Sequence, residues 1–202
     1  MKERGILFSA PMVRALLAGT KTQTRRLVKP PPTHFVGGPG VIDSHGKPVP
    51  RAPAIDDGVL SREIVCPYGA PGDKLWVREA WAVPHRYDHL GPSNIPVEGV
   101  SLHYAATEER GGLRWRPSIH MCRWASRITL EITGVRVERL QDISEADAQA
   151  EGCALACMAP TGDDSGSAIY GPGGYMALWE SLNGAGSWDA NPWVWVLSFR
   201  RV

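Results

Sequence analysis

The closing segment Trp193-Val194-Trp195-Val196-Leu197-Ser198-Phe199 constrains the fold more than any other stretch. It is apolar at nearly every position, so as a strand it presents two apolar faces. Such a strand is central, or covered on both sides. Residues 128–133 give the clearest half-buried strand, with isoleucine and leucine alternating with polar residues. Gly134 bulges or turns it, and Val135-Arg136-Val137-Glu138 resumes the alternation.

Shorter elements surround these two. Residues 4–9 read as a first strand. Pro11 then suits the first turn of a helix whose apolar stripe is Met12, Leu16 and Leu17, and Gly19 stops it. Residues 21–27 are extended and polar. After the turn Pro71-Gly72-Asp73, residues 75–78 are strand-like, as are 102–105. Ser144 reads as the N-cap of a helix ending at Gly152, and residues 175–182 as a short amphipathic helix. Residues at about 30–60, 84–98 and 158–170 have no sustained period and read as loop insertions. The order of elements predicts an α+β fold, a small closed or nearly closed sheet with short helices at its ends, as one domain over 1–202.

A net charge of +1 over 202 residues excludes a protein that holds nucleic acid by bulk charge alone. The charge is unevenly spread. Residues 1–140 hold 20 Lys/Arg against 13 Asp/Glu, and residues 141–202 hold 2 against 8. Residues 5–42 contain no acid, while Arg14, Lys21, Arg25, Arg26 and Lys29 are basic. Either the front of the chain faces an anion or the two parts neutralise each other across one fold. The start lacks a secretory leader pattern, and no run approaches the roughly 18 apolar residues of a membrane span. The expectation is a cytoplasmic protein with free thiols and no membrane partner. Cys153-x3-Cys157 lacks the second ligand pair of a zinc site.

The segment Gly19-Thr20-Lys21-Thr22-Gln23-Thr24-Arg25-Arg26 resembles the signature of the ASCH domain, a relative of the PUA fold. The resemblance continues through Pro71-Gly72-Asp73-Lys74-Leu75-Trp76-Val77-Arg78-Glu79 and the helix from Asp142 to Gly152. It closes on Asn191-Pro192-Trp193-Val194-Trp195-Val196, which is similar to prophage-borne members. It implies a small PUA-like β-barrel. More distantly, the chain resembles bacterial amidohydrolases that remove the acyl group of N4-acetylcytidine. That resemblance implies a catalytic trio of Lys21, Thr24 and Glu151. Lys21 would activate Thr24 or a water, and Glu151 would pass a proton to the leaving amine. Those enzymes are about half this length, so the insertions bear on which substrate fits.

The residues can be read without the family. On a regular strand Lys21 and Thr24 point to opposite faces, so a shared site needs a bend or bulge. Otherwise the segment is a solvated strand end. Arg26 can fork onto a phosphate or carbonyl. Glu151 falls at the end of its helix, where the dipole disfavours a carboxylate, a setting that suits a proton shuttle. Arg114-Trp115-Arg116 and His120 interleave cations with an indole that could stack a base, or else the tryptophans serve as packing.

The resemblance, with these residues, implies a protein directed at a modified cytidine nucleoside or RNA, most simply an amidohydrolase, with substrate bound by Arg26, Arg114, Trp115, Arg116 and His120. An RNA-binding reader and a metal-independent ribonuclease are the alternatives. No metal or organic cofactor is demanded by the residues.

Overall fold

The computed structural model describes residues 1–29, 65–109, 111–153 and 172–202. The insertions expected at 30–60 and 158–170 lie outside the described residues. Among the described residues, seven strands run β1 (Glu3–Leu7), β2 (Gln23–Leu27), β3 (Lys74–Arg78), β4 (Trp81–Ala82), β5 (His103–Tyr104), β6 (Thr129–Arg139) and β7 (Trp193–Arg201). The α-helices described with them are α1 (Ala10–Leu17), α2 (Glu145–Ala150) and α3 (Pro172–Asn183). The fold is therefore α+β. No helix among the described residues is long and apolar enough to cross a membrane.

Five strands form one mixed sheet in the order β1-β3-β6-β7-β2. Only β1 and β3 are parallel. β7 is internal, as its two apolar faces require. Trp195, Leu197 and Phe199 enter a core with Ile6, Leu75, Leu130 and Ile132, closed by Met12, Val13 and Leu16 of α1. Val194 and Val196 point the other way, to a second core with Leu140, Ala148, Tyr175 and Trp179 under α2 and α3. Each fully buried aliphatic side chain in these layers contributes about 1.5–3 kcal/mol relative to exposure. A charge on either face of β7 would therefore break the sheet from its cover.

The register of β6 against β7 shifts between Ile132 and Gly134, which is the bulge the glycine suggested. The bulge lets both halves of the long strand keep their apolar residues inward. Ser144 caps α2 by accepting from the Asp147 N–H at 3.1 Å. α3 begins at Pro172, earlier than expected, because proline fits the first helical turn.

The expected insertion at 84–98 is built into the structure. Tyr87 from its first 3₁₀ turn (His85–Tyr87), Leu90 after it and Ile95 after the second (Pro92–Asn94) join a third core around Trp81, Val83, Met121 and Ala125. Trp124 meets Trp81 edge-on with ring centroids 5.9 Å apart.

Closure of the sheet into a barrel is not seen in the ladders of the described residues: β1 and β2 are its edges. A side chain links them instead. Arg26 Nη2 donates to the Leu7 carbonyl oxygen at 2.8 Å, and its guanidinium lies 5.3 Å from the Phe8 ring centroid. The space between the two edges is a cavity.

Candidate functional site

Two helix ends bring Lys21 to Glu151. α1 stops at Gly19, whose φ of +76° is left-handed. The Thr20 N–H then bonds the Ala15 carbonyl at 3.0 Å and the Gly19 N–H bonds that of Leu16 at 3.2 Å, a Schellman stop. α2 stops at Gly152, with φ +78°, leaving Glu151 as the C-cap. Between the two stops, the Thr22 N–H bonds the Ala150 carbonyl at 2.8 Å. Gly152 packs so closely that a Cβ there would lie 2.9 Å from Ala15 Cβ and 3.2 Å from Lys21 Cβ. Glycine is required at this position for its conformation and for its size.

Lys21 and Glu151 are each 2% exposed. Lys21 Nζ donates to Glu151 Oε2 at 2.8 Å and to the Glu151 carbonyl oxygen at 2.7 Å. One ammonium thus neutralises the carboxylate and satisfies a carbonyl of the helix end. Arg25, also 2% exposed, approaches from the other side. Its Nη1 donates to Glu151 Oε1 at 3.3 Å and to Gln23 Oε1 at 3.1 Å. Its Nε donates to Glu138 Oε1 at 3.0 Å and its Nη2 to Asp147 Oδ2 at 3.1 Å. Arg136 binds the same two carboxylates from outside, at 2.9 Å each. Three cations (Lys21, Arg25, Arg136) therefore meet three carboxylates (Glu138, Asp147, Glu151), and the cluster is formally neutral. The Tyr175 hydroxyl donates to Glu151 Oε1 at 3.4 Å.

The electrostatics follow from burial. Desolvation pushes the Lys21 ammonium below its ordinary range, against the pull of the Glu151 carboxylate. Lys21 is therefore readier to give up a proton than a surface lysine. Burial, reinforced by the Glu151 charge, holds the Tyr175 phenol well above its ordinary range, so it stays a neutral donor. Burial raises Asp147, but the Arg136 and Arg25 charges outweigh it and hold the carboxyl low.

The cavity between the sheet edges has a volume of about 690 Å³ and is lined by β1, β2 and α3. Thr24, Arg25, Glu151, Tyr175 and Trp179 form its buried part. Lys21 stands behind this wall, its side chain fully covered, with Nζ 5.5 Å from the Phe8 ring centroid. Thr24 is 1% exposed, and its Oγ1 has no hydrogen-bond partner among the described residues. A buried hydroxyl left open at a cavity wall costs about 1–3 kcal/mol, so a ligand atom has a reason to sit there. Thr24 pairs with Leu197 and Arg25 with Val196, so the two side chains leave opposite faces of β2. Both nonetheless reach the cavity, because β2 is an edge and the cavity wraps it.

The expected site residues divide into two groups. Thr24, Arg26 and Glu151 line one cavity, with Lys21 directly bonded to Glu151. Arg114, Trp115, Arg116 and His120 are not among its lining residues. Arg114 donates to the Asp88 carbonyl at 2.9 Å and Arg116 to that of Tyr87 at 3.1 Å. Arg116 also lies over Trp81 at 5.7 Å and pairs with it in a β-bridge. These two arginines tie the 84–98 segment to the third core. Trp115 is half-buried and His120 is exposed. From this stretch only Ser118 reaches the cavity.

Arg25, Gln23 and Tyr175 were not singled out from the sequence. Two signals were available. Lys21, Gln23 and Arg25 recur with period two, the spacing of one strand face. Asp147 and Glu151 are four apart, which puts two carboxylates on one face of α2.

Comparison with family models, with curated proteins and with solved structures finds no match for this chain.

Proposed function

We propose that the protein is an ASCH-type, PUA-like hydrolase that cleaves the acyl amide of an N4-acylated cytidine in the cavity between β1 and β2. What carries the reading is the conjunction of Glu151, which lines the cavity and is paired with the buried Lys21 behind it, and the Thr24 hydroxyl on the same cavity, which has no partner among the described residues. Lys21 with a weakened hold on its proton suits a general base. Thr24 Oγ, or a water bound to it, adds to the acyl carbon, and its proton passes to the Lys21–Glu151 pair. The C–N bond then breaks, and Glu151 returns the proton to the departing N4 amine. With Thr24 as nucleophile, water hydrolyses the resulting ester and restores the hydroxyl. Products are the free carboxylic acid and cytidine. Arg25 and Tyr175 hold the Glu151 carboxylate in place throughout.

A binding-only reading, an RNA or modified-base reader, draws on Arg26 and the aromatic walls of the same cavity. One experiment separates the two. N4-acetylcytidine is incubated with wild type, Lys21→Ala, Thr24→Ala and Glu151→Gln, and conversion to cytidine is followed by ultraviolet absorbance. The hydrolase reading expects conversion by wild type and a loss of about 10²-fold or more in each variant. An inactive wild type at high enzyme concentration overturns it and leaves the binding-only reading.

A further inference from the structure

Building on the nucleoside pocket proposed above, we infer that the cavity takes a phosphate-bearing ligand, a nucleotide or a nucleotide residue of RNA, and that Arg26, Lys29 and Arg78 form its phosphate subsite. The cavity lining carries four cations, Arg25, Arg26, Lys29 and Arg78, against one carboxylate, Glu151. The acid is already matched, since Lys21 and Arg25 both bind it. No carboxylate among the described residues pairs with Arg26, Lys29 or Arg78. Among the described residues, positive charge is therefore in excess at the cavity and not in the neutral cluster beneath it.

The excess is organised by depth. Thr24, Trp179 and Tyr175 are buried, whereas Arg26 and Arg78 are half-buried and Lys29 is exposed. Arg26 and Arg78 both line the cavity beside β1: Arg26 bonds the Leu7 carbonyl, while Arg78, the register partner of Leu7, donates through Nη2 to the Ile119 carbonyl and lies 5.3 Å from the Trp76 ring centroid. Three polar atoms of the lining residues are buried with no partner among the described residues: Thr24 Oγ1, Trp179 Nε1 and Arg78 Nε. Two of these are N–H donors, which ask for acceptor oxygens. Trp179 is 4% exposed and Thr24 is 1% exposed. A volume of about 690 Å³ is within the range of small-molecule sites. A planar base in the aromatic interior with its phosphate at the rim meets all these demands. A neutral nucleoside leaves the rim cations without a counter-charge.

Calorimetric titration with cytidine, cytidine 5′-monophosphate and a short single-stranded oligocytidylate tests this. The monoester or the diester binds about 10- to 100-fold tighter than cytidine at low salt, the gain expected from hydrogen bonds to a charged group. The gain shrinks as salt rises. Whichever phosphate form binds tighter identifies monoester or diester as the natural ligand. Lys29→Gln and Arg78→Gln each bring the ratio closer to one, and the exposed Lys29 keeps the test readable if the Arg78 variant misfolds. Equal affinity for all three probes, no binding of any, or a ratio unchanged in both variants overturns the inference. The readout is binding alone, so failure of N4-acetylcytidine hydrolysis does not affect it. Conversely, equal affinities leave the hydrolysis test standing.

Discussion

Lys21 Nζ donates both to the carboxylate of Glu151, at 2.8 Å, and to the backbone carbonyl of the same residue, at 2.7 Å. A side chain on the loop after α1 thereby caps α2 and neutralises the acid on that cap. Function and fold use one contact, so substitutions here must be judged by stability and activity together.

Lys21→Met gives a pH signature. Burial depresses the folded-state pKa of Lys21, so between that value and its ordinary 10.5 the unfolded chain binds more protons. Stability then rises with pH across this window. The melting-temperature difference, wild type minus Lys21→Met, is expected to increase as pH rises through this window. Tyr175 acts in the opposite sense only above its ordinary value of 10.0, because burial keeps it protonated in the folded state. The comparison is therefore made below 10.0. A difference that falls with pH would mean that Glu151 overrides burial and holds Lys21 charged.

Gly152→Ala and Gly19→Ala separate conformation from packing. Both glycines have positive φ, +78° and +76°. A Cβ at 19 meets nothing within 4 Å, whereas one at 152 meets Ala15 and Lys21. Gly19→Ala is expected to cost about 1–2 kcal/mol for the left-handed conformation alone. Gly152→Ala is expected to cost more and to weaken the Lys21–Glu151 contact. Denaturant midpoints at constant m-value check this. Equal midpoints would remove the packing argument.

The strands and helices near the site were legible in sequence because their signals are local. Pro11, Gly19, Ser144 and Gly152 mark helix ends through backbone geometry, and the two apolar faces of β7 mark a covered strand. The Lys21–Glu151 pairing was reached only through resemblance. Nothing local ties residues 130 apart in sequence. Arg25 was missed because a buried arginine looks like a surface one until its three acids, on two other elements, are brought to it. The Arg114–His120 stretch shows the reverse. Its cations and indole match a nucleic-acid pattern, yet Arg114 and Arg116 hold backbone carbonyls of a neighbouring loop. Part of the split in charge between residues 1–140 and 141–202 is met by ion pairs within the fold. Arg25 with Asp147 and Glu151 neutralises it inside the fold, while Arg26, Lys29 and Arg78 remain at the cavity.

Arg25 and Glu138 are expected to be strongly coupled. Arg25 serves Glu138, Asp147, Glu151 and Gln23 at once from a fully buried position. A double-mutant cycle of Arg25→Met and Glu138→Gln should give an interaction energy of about 1–3 kcal/mol, since the two share one network. Arg25→Lys should rescue little, because an ammonium cannot reproduce the guanidinium fork. A coupling near zero would show that Arg136 alone holds Glu138 and Asp147.

Thr24→Val sets stability against function. The Oγ1 of Thr24 is buried with no partner among the described residues. Replacing the hydroxyl by a methyl removes an unsatisfied polar atom at nearly constant volume, so the free protein should gain about 1 kcal/mol or more. The same change deletes the proposed nucleophile or its water anchor, so kcat on N4-acetylcytidine should fall by about 10²-fold or more. Melting temperature and kcat measured on the same preparation check both arms. A destabilised variant would mean that the hydroxyl is satisfied in solution by ordered water. A stabilised variant with full activity would show that chemistry at this cavity does not pass through Thr24.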